Sequence, residues 1–186
     1  MLEHKLISIM KTYNNLNRDL TLVQALNLPH WCIAAGYVRN YVWNYLHGFN
    51  KPSSLNDVDI LYYDPSDTRE QTEKNLESIL QNEVRDYNWS IKNQARMHER
   101  NNEQTYLSVA DAMKRWPETA TATAITIGKS NKLEVIAPHG LNDLFDLVVR
   151  QSPYFKDTDC FHNRVQSKQW LETWPNLKLI VEETQH

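Results

Sequence analysis

Asp57 and Asp59 stand one residue apart in SLNDVDILYYD, residues 54–64. In an extended chain successive side chains alternate faces, so both carboxylates project from one side while Val58 and Ile60 project from the other. Two same-face carboxylates suit Mg²⁺, which takes one or two of them and fills its remaining positions with water and substrate phosphate oxygens. The spacing alone does not decide the matter. Asp157-Thr158-Asp159 repeats it with no apolar strand behind it, as ordinary loop acids do.

Context comes from Gly36, which closes the apolar run HWCIAAG and opens YVRNYVWNYLHG. A glycine where a helix begins lets a phosphate approach backbone N–H groups that have no intrahelical partner, at the positive end of the helix dipole. Arg39, about one turn on, is placed to contact the same phosphate. Taken singly, Gly36 is a tight turn and Arg39 a solvated cation. Taken with Asp57 and Asp59, they supply what a triphosphate needs, an N–H cradle and carboxylates for the metal that bridges its oxygens.

The elements that must position these residues follow from periodicity. Residues 1–28 read as helical, with Leu2, Leu6, Ile9 and Met10 in one stripe and Leu20, Val23 and Leu26 in a second, ended by Pro29. Val38, Val42 and Leu46 share a face of the next helix, which Gly48 stops. After a loop over 49–56 comes a strand from Asp57 to Tyr63, then a helix over 68–80 and a strand over 88–95. Further on, the spacing predicts a helix over 108–116, a hairpin turning at 128–131, a helix over 140–150 and a tail helix over 161–173. The order describes an α/β chain of α+β type with a mixed sheet, read as a single domain over 1–186. An N-terminal helical segment (1–28) precedes a core (about 30–150) and a C-terminal helical extension (151–186).

Composition narrows the function classes. Hydrophobic residues at 41% and charged residues at 23% exclude a largely disordered chain. Cys32 and Cys160 fit neither a disulfide framework nor a zinc site. No G-x-G-x-x-G or G-x-x-x-x-G-K-[ST] occurs. No apolar run is long enough for a membrane span and the N-terminus has no signal-peptide pattern, so a cytoplasmic protein is expected. A net charge of −3 with dispersed Lys and Arg argues against an extended nucleic-acid footprint.

AAGYVRN, a helix, a loop and then NDVDILYYD resemble the nucleotidyltransferases related to DNA polymerase beta, whose pattern is a G-[GS] helix start followed by an acidic-x-acidic strand. AGYVRN, LNDVDILYYD, IKNQARMH, DAMKRWPETATA, LEVIAPHGLNDLF and KQWLETWP resemble, in order, segments of a bacterial nucleotidyltransferase-like family over nearly the whole chain. The resemblance implies a nucleotidyltransferase-like fold, Mg²⁺ as cofactor and a nucleoside triphosphate as substrate. Asp57 and Asp59 would be catalytic and metal-binding, with Gly36, Arg39 and Asn93 contacting nucleotide or metal.

Two departures bear on activity. Tyr37 stands where the superfamily has Ser or Gly after the motif glycine. The following strand, NWSIKNQA, has no third carboxylate, and Asn93 is read as that position's occupant. An amide oxygen can ligate Mg²⁺ but is no general base. Glu134 is the other candidate for completing the site, with a solvated edge residue as its plain reading. Lys92 and Arg96 are candidate phosphate or acceptor contacts, and His98 reads as a surface histidine. The tryptophans read as packing anchors. The rival function is a fold that binds nucleotide or a protein partner without turnover. A sugar-nucleotide glycosyltransferase fits less well, because the apolar run follows the Asp pair instead of preceding it.

Overall fold

A computed structural model describes residues 1–49 and 56–180, so the Pro, Ser and Asn-rich stretch 50–55 read as loop and the tail 181–186 lie outside the described residues. Its centre is a five-stranded mixed sheet in the order β3-β2-β1-β4-β5. The strands are β1 (Cys32–Ala34), β2 (Asp57–Tyr62), β3 (Asn88–Asn93), β4 (Ala124–Ile127) and β5 (Leu133–Ile136). β2 and β3 run parallel, and the other neighbours are antiparallel.

One face of the sheet carries Val58, Ile60, Ile33, Ile125 and Ile91, all with no solvent exposure. They pack with the apolar stripes of α1 (Leu2–Met10), α2 (Leu16–Ala25) and α3 (Gly36–Leu46). Each large side chain so buried contributes roughly 1.5–3 kcal/mol relative to exposure, so period-two alternation fixes which way β2 faces. The other face carries Cys32, Ala34, Leu61 and Ala124, covered by Val109 and Met113 of α6 (Val109–Lys114). Asp57 and Asp59 lie on this second face, at the end of β2 where small residues leave room.

The edge strand β3 is closed by α4 (Glu70–Glu83). The backbone N–H of Ile91 donates to Glu77 and that of Asn93 to Glu73, each at 2.8 Å. Arg96, in α5 (Gln94–Asn101), and Lys92 neutralise the fully buried Glu73. Side-chain carboxylates thus take up edge donors that would otherwise invite another strand.

Three stretches differ from the sequence expectations. The strand over 88–95 stops at Asn93, and α5 follows with Asn93 as its N-cap, its side chain accepting from the Ala95 N–H. The helix expected over 140–150 is only α7 (Asn142–Phe145). Leu147 adopts φ +58, and Val148–Arg150 becomes β6, paired in parallel with β7 (Lys178–Ile180). β-Branched Val148 and Val149 fit that pairing better than a helix interior. The tail helix begins earlier and divides. α8 (Thr158–Ser167) is capped by Asp157, and Gln169 at φ +50 separates it from α9 (Trp170–Thr173). The second D-x-D is therefore a helix start.

Candidate active site

The site grows from the turn between β1 and α3. Ala35, between them, has φ +56 and ψ −127, a backbone conformation that glycine adopts readily and alanine does not. The first place of a G-[GS] pair thus falls on Ala35, Gly36 takes the second, and Tyr37 leaves the motif. Tyr37 is fully buried and donates to Asp19 at 2.8 Å, a contact tying α3 to α2. No side chain caps α3, so its first-turn N–H groups are not taken by a cap. A Cβ on Gly36 would meet the Asn40 amide at 3.3 Å, which leaves the helix opening narrow.

β2 pairs with β1 so that Asp59 lies beside Ala34, one residue before that turn. Asp57 is exposed and Asp59 half-buried, and on β3 their partners are Asn88 and Ser90. The Asn88 amide donates to Asp57 at 2.9 Å, and the Ser90 side chain hydrogen-bonds Asp59. Burial raises the Asp59 carboxyl above the ordinary range; Ser90 opposes this, the Asp57 charge adds to it, and Arg39 and Arg164 hold it down. A divalent cation beside the pair would relieve both the burial cost and the mutual repulsion. Among the described residues no group of three or more His, Cys, Asp or Glu could hold a metal. Asp57 and Asp59, on one side of β2, are the two carboxylates that could hold an ion drawing its further ligands from substrate phosphates and water, as Mg²⁺ does.

Asn93 is not brought to this pair. It faces the opposite side, paired with Tyr62, fully buried, and its amide is committed to backbone. Its oxygen accepts from the Asp64 and Ala95 N–H groups, and its nitrogen donates to the Asp64 and Asp67 carbonyls at 2.7 and 2.8 Å. Ser90, not Asn93, is the residue beside Asp59. Glu134, on β5, pairs with Thr126 of β4 and stands three strands from β2, hence roughly 14 Å away at the usual strand spacing.

Arg39 does reach the site, but as a buried group, 5% exposed. Its Nε and Nη2 donate to Asn40 at 3.1 and 2.8 Å, its Nη1 donates to Thr121 at 2.6 Å, and Trp170 stacks on it at 4.3 Å. Burial brings its pKa down to about 10; Glu118 opposes the fall, Arg164 adds to it and Asp59 opposes it. Arg96 is engaged by Glu73, and His98 is half-buried against Tyr106, not a surface group.

A cleft of about 260 Å³ opens beside Asp59, walled by Ala35, Leu61, Lys92, Trp116, Thr121 and Arg164. Of these, Lys92 was legible on the strand, and Trp116 proves to be a wall residue as well as an anchor. Thr121 and Arg164 were not anticipated. The alternation in ETATATA signals extended chain but not its distance from Arg39, and nothing around Arg164 separates it from a solvated helix cation.

An α/β sheet with a helix opening beside an acidic strand end defines the nucleotidyltransferase class, and comparison with known proteins agrees. The model of a nucleotidyltransferase family matches residues 21–179, and the chain belongs to that family. A CCA-adding enzyme head domain solved by NMR is 28% identical with a TM-score of 0.85, covering 97% of this chain and 96% of its own. A CCA-adding enzyme solved with CTP is 16% identical with a TM-score of 0.60, covering 96% of this chain and 43% of its own. The Thermotoga maritima CCA-adding enzyme complexed with tRNA is 17% identical with a TM-score of 0.56, covering 91% of this chain and 39% of its own. These last two likenesses show the fold, and the chain spans about two fifths of their length. No curated protein matches the chain. No helix among the described residues is long and apolar enough to cross a membrane.

Proposed function

We propose that the chain is a Mg²⁺-dependent nucleotidyltransferase that moves a nucleoside monophosphate from a nucleoside triphosphate to a hydroxyl or phosphate acceptor. The observation that carries this reading is the register placing Asp59 beside the β1–α3 turn, on one cleft with Lys92 and Arg164. The acceptor oxygen bonds to the α-phosphorus as the bond to the bridging oxygen breaks. The electron pair leaves with pyrophosphate, and the acceptor proton passes to solvent. Phosphoryl transfer depends chiefly on positioning and charge stabilisation, so the missing third acid slows the step without forbidding it.

Asp57 and Asp59 would hold the Mg²⁺, which when bound neutralises charge on the phosphate oxygens. The opening of α3 at Gly36 offers N–H donors to phosphate. Arg39 holds Thr121 on the cleft wall and adds positive field from within. The CCA-adding enzyme solved with CTP supports a nucleoside triphosphate as donor.

The test is calorimetric titration of each of the four NTPs, with and without Mg²⁺, into wild type and the Asp57→Asn/Asp59→Asn variant. Wild type is expected to bind in a Mg²⁺-dependent way, and the double variant to lose that binding with its melting temperature undiminished. Unchanged binding would remove these aspartates from the mechanism. A second reading, a module that binds nucleotide or a protein partner without turnover, is favoured by the neutral Asn88 and Ser90 beside the acids. It predicts NTP binding with no pyrophosphate release across acceptors.

A further inference from the structure

We infer that Arg164 receives the β- and γ-phosphates of the bound nucleotide, so that α8 completes a site otherwise built on the sheet. The inference rests on the nucleotidyltransferase reading above and adds to it a residue from the C-terminal part of the chain.

Arg164 lines the same cleft as Asp59. Its side chain is 36% exposed; its Nε donates to Glu118 at 2.7 Å, and its guanidinium lies over Trp170 at 5.8 Å from the ring centroid, more loosely than Arg39 at 4.3 Å. Neither Nη has a hydrogen-bond partner among the described residues. A guanidinium carries five N–H donors in a planar fork suited to phosphate oxygens. Four of them are therefore left by the Glu118 contact on a residue that lines the cleft.

Arg39, the arginine that the motif singles out, is differently placed. Every nitrogen of its guanidinium donates to Asn40 or Thr121, and its face is covered by Trp170. Its part is to position the wall. Lys92, the cleft's other cation, is held by Glu77 at 2.8 Å. Among the described residues of this wall, that leaves Arg164 as the cation whose two terminal nitrogens both lack a hydrogen-bond partner.

Glu118 fits the same assignment. It is 1% exposed, with Oε1 engaged by Arg164 and Oε2 buried without a partner. Glu118 also acts electrostatically on Arg39, so one buried carboxylate serves two arginines, both of which also act on Asp59. Because the Arg164–Glu118 contact uses one nitrogen, phosphate can occupy the others without breaking it.

The experiment titrates inorganic tripolyphosphate, the four NTPs and the four nucleoside monophosphates, all with Mg²⁺, into the full chain. Removing Arg164 alone would strand the buried Glu118 charge. The main variant is therefore Arg164→Met with Glu118→Gln, accompanied by Arg164→Lys and a thermal melt of each. Charge-assisted hydrogen bonds of this kind predict a loss of roughly tenfold to hundredfold for tripolyphosphate and NTP in the double variant. Monophosphate affinity is expected to hold within about twofold, since the α-phosphate lies outside Arg164's reach in this assignment, and Arg164→Lys to fall between. NTP and tripolyphosphate affinities equal to wild type, or an equal loss for monophosphates, would overturn the inference. Wild type that binds no NTP at all would instead remove the nucleotidyltransferase reading, and this inference with it.

Discussion

Asp59 pays for its position near the phosphate cradle with half-burial beside a second acid. Because its folded pKa lies above the ordinary carboxyl value, the folded chain keeps a proton that the unfolded chain releases as pH rises from about 4. Stability is lost through that window, and at neutral pH the ionised group works against the fold. Asp59→Asn is therefore expected to raise the melting temperature at pH 7 in the absence of divalent cations. The gain should shrink as pH falls toward 4, and melts across pH would reveal it. Ala35 is the second residue held against its preference. Ala35→Gly removes the cost of a positive φ, and despite the lost methyl it is expected to stabilise by about 1 kcal/mol, read by urea denaturation.

Among the elements, the parallel pairing of β2 and β3 decides which side chain stands beside each aspartate. Register sets Ser90 next to Asp59 and turns Asn93 to the far face. Two substitutions separate these placements. Ser90→Asp is expected to tighten divalent-cation binding and, if turnover is limited by the missing acid, to raise pyrophosphate release. Asn93→Asp replaces two buried N–H donors with a carboxylate facing the Asp64 and Asp67 carbonyls, a loss of about 2–4 kcal/mol with no gain in metal affinity. The opposite pattern, measured by metal titration and chemical denaturation, would restore Asn93 to the site.

Over the whole molecule, the site depends on helices far along the chain. Trp170 and Trp174 pack edge-on against Trp43 of α3, with ring centroids 5.9 and 5.1 Å away, and the Trp174 indole donates to Asn44 at 2.9 Å. The same Trp170 covers Arg39, so packing of the C-terminal helices and the field at the cleft are one arrangement. Trp170→Ala is expected to cost about 3–5 kcal/mol in a denaturant melt, as for other buried tryptophans. By admitting water to Arg39 it should also weaken NTP binding, which a calorimetric titration of the still-folded variant would detect.

The sequence by itself determined the mixed α/β class, the helix opening at Gly36, and the common face of Asp57 and Asp59. These are local matters, set by hydrophobic periods of 3.6 and 2 and by backbone rules that act over a few residues. Asn93 shows where that reach stops. Its identity and strand position read as a ligand, yet the helix-forming run QARMHER behind it makes it a cap, and the choice depends on where α4 and the 64–67 turn come to lie. The short helix at 142–145 is a similar case, because the strand that follows exists only through its partner at 178–180. Only the tertiary structure decided that Ser90 flanks Asp59, that Thr121 and Arg164 wall the cleft, and that Arg39 is buried under Trp170. Those relations join segments distant in sequence through packing and strand register, which no local pattern encodes.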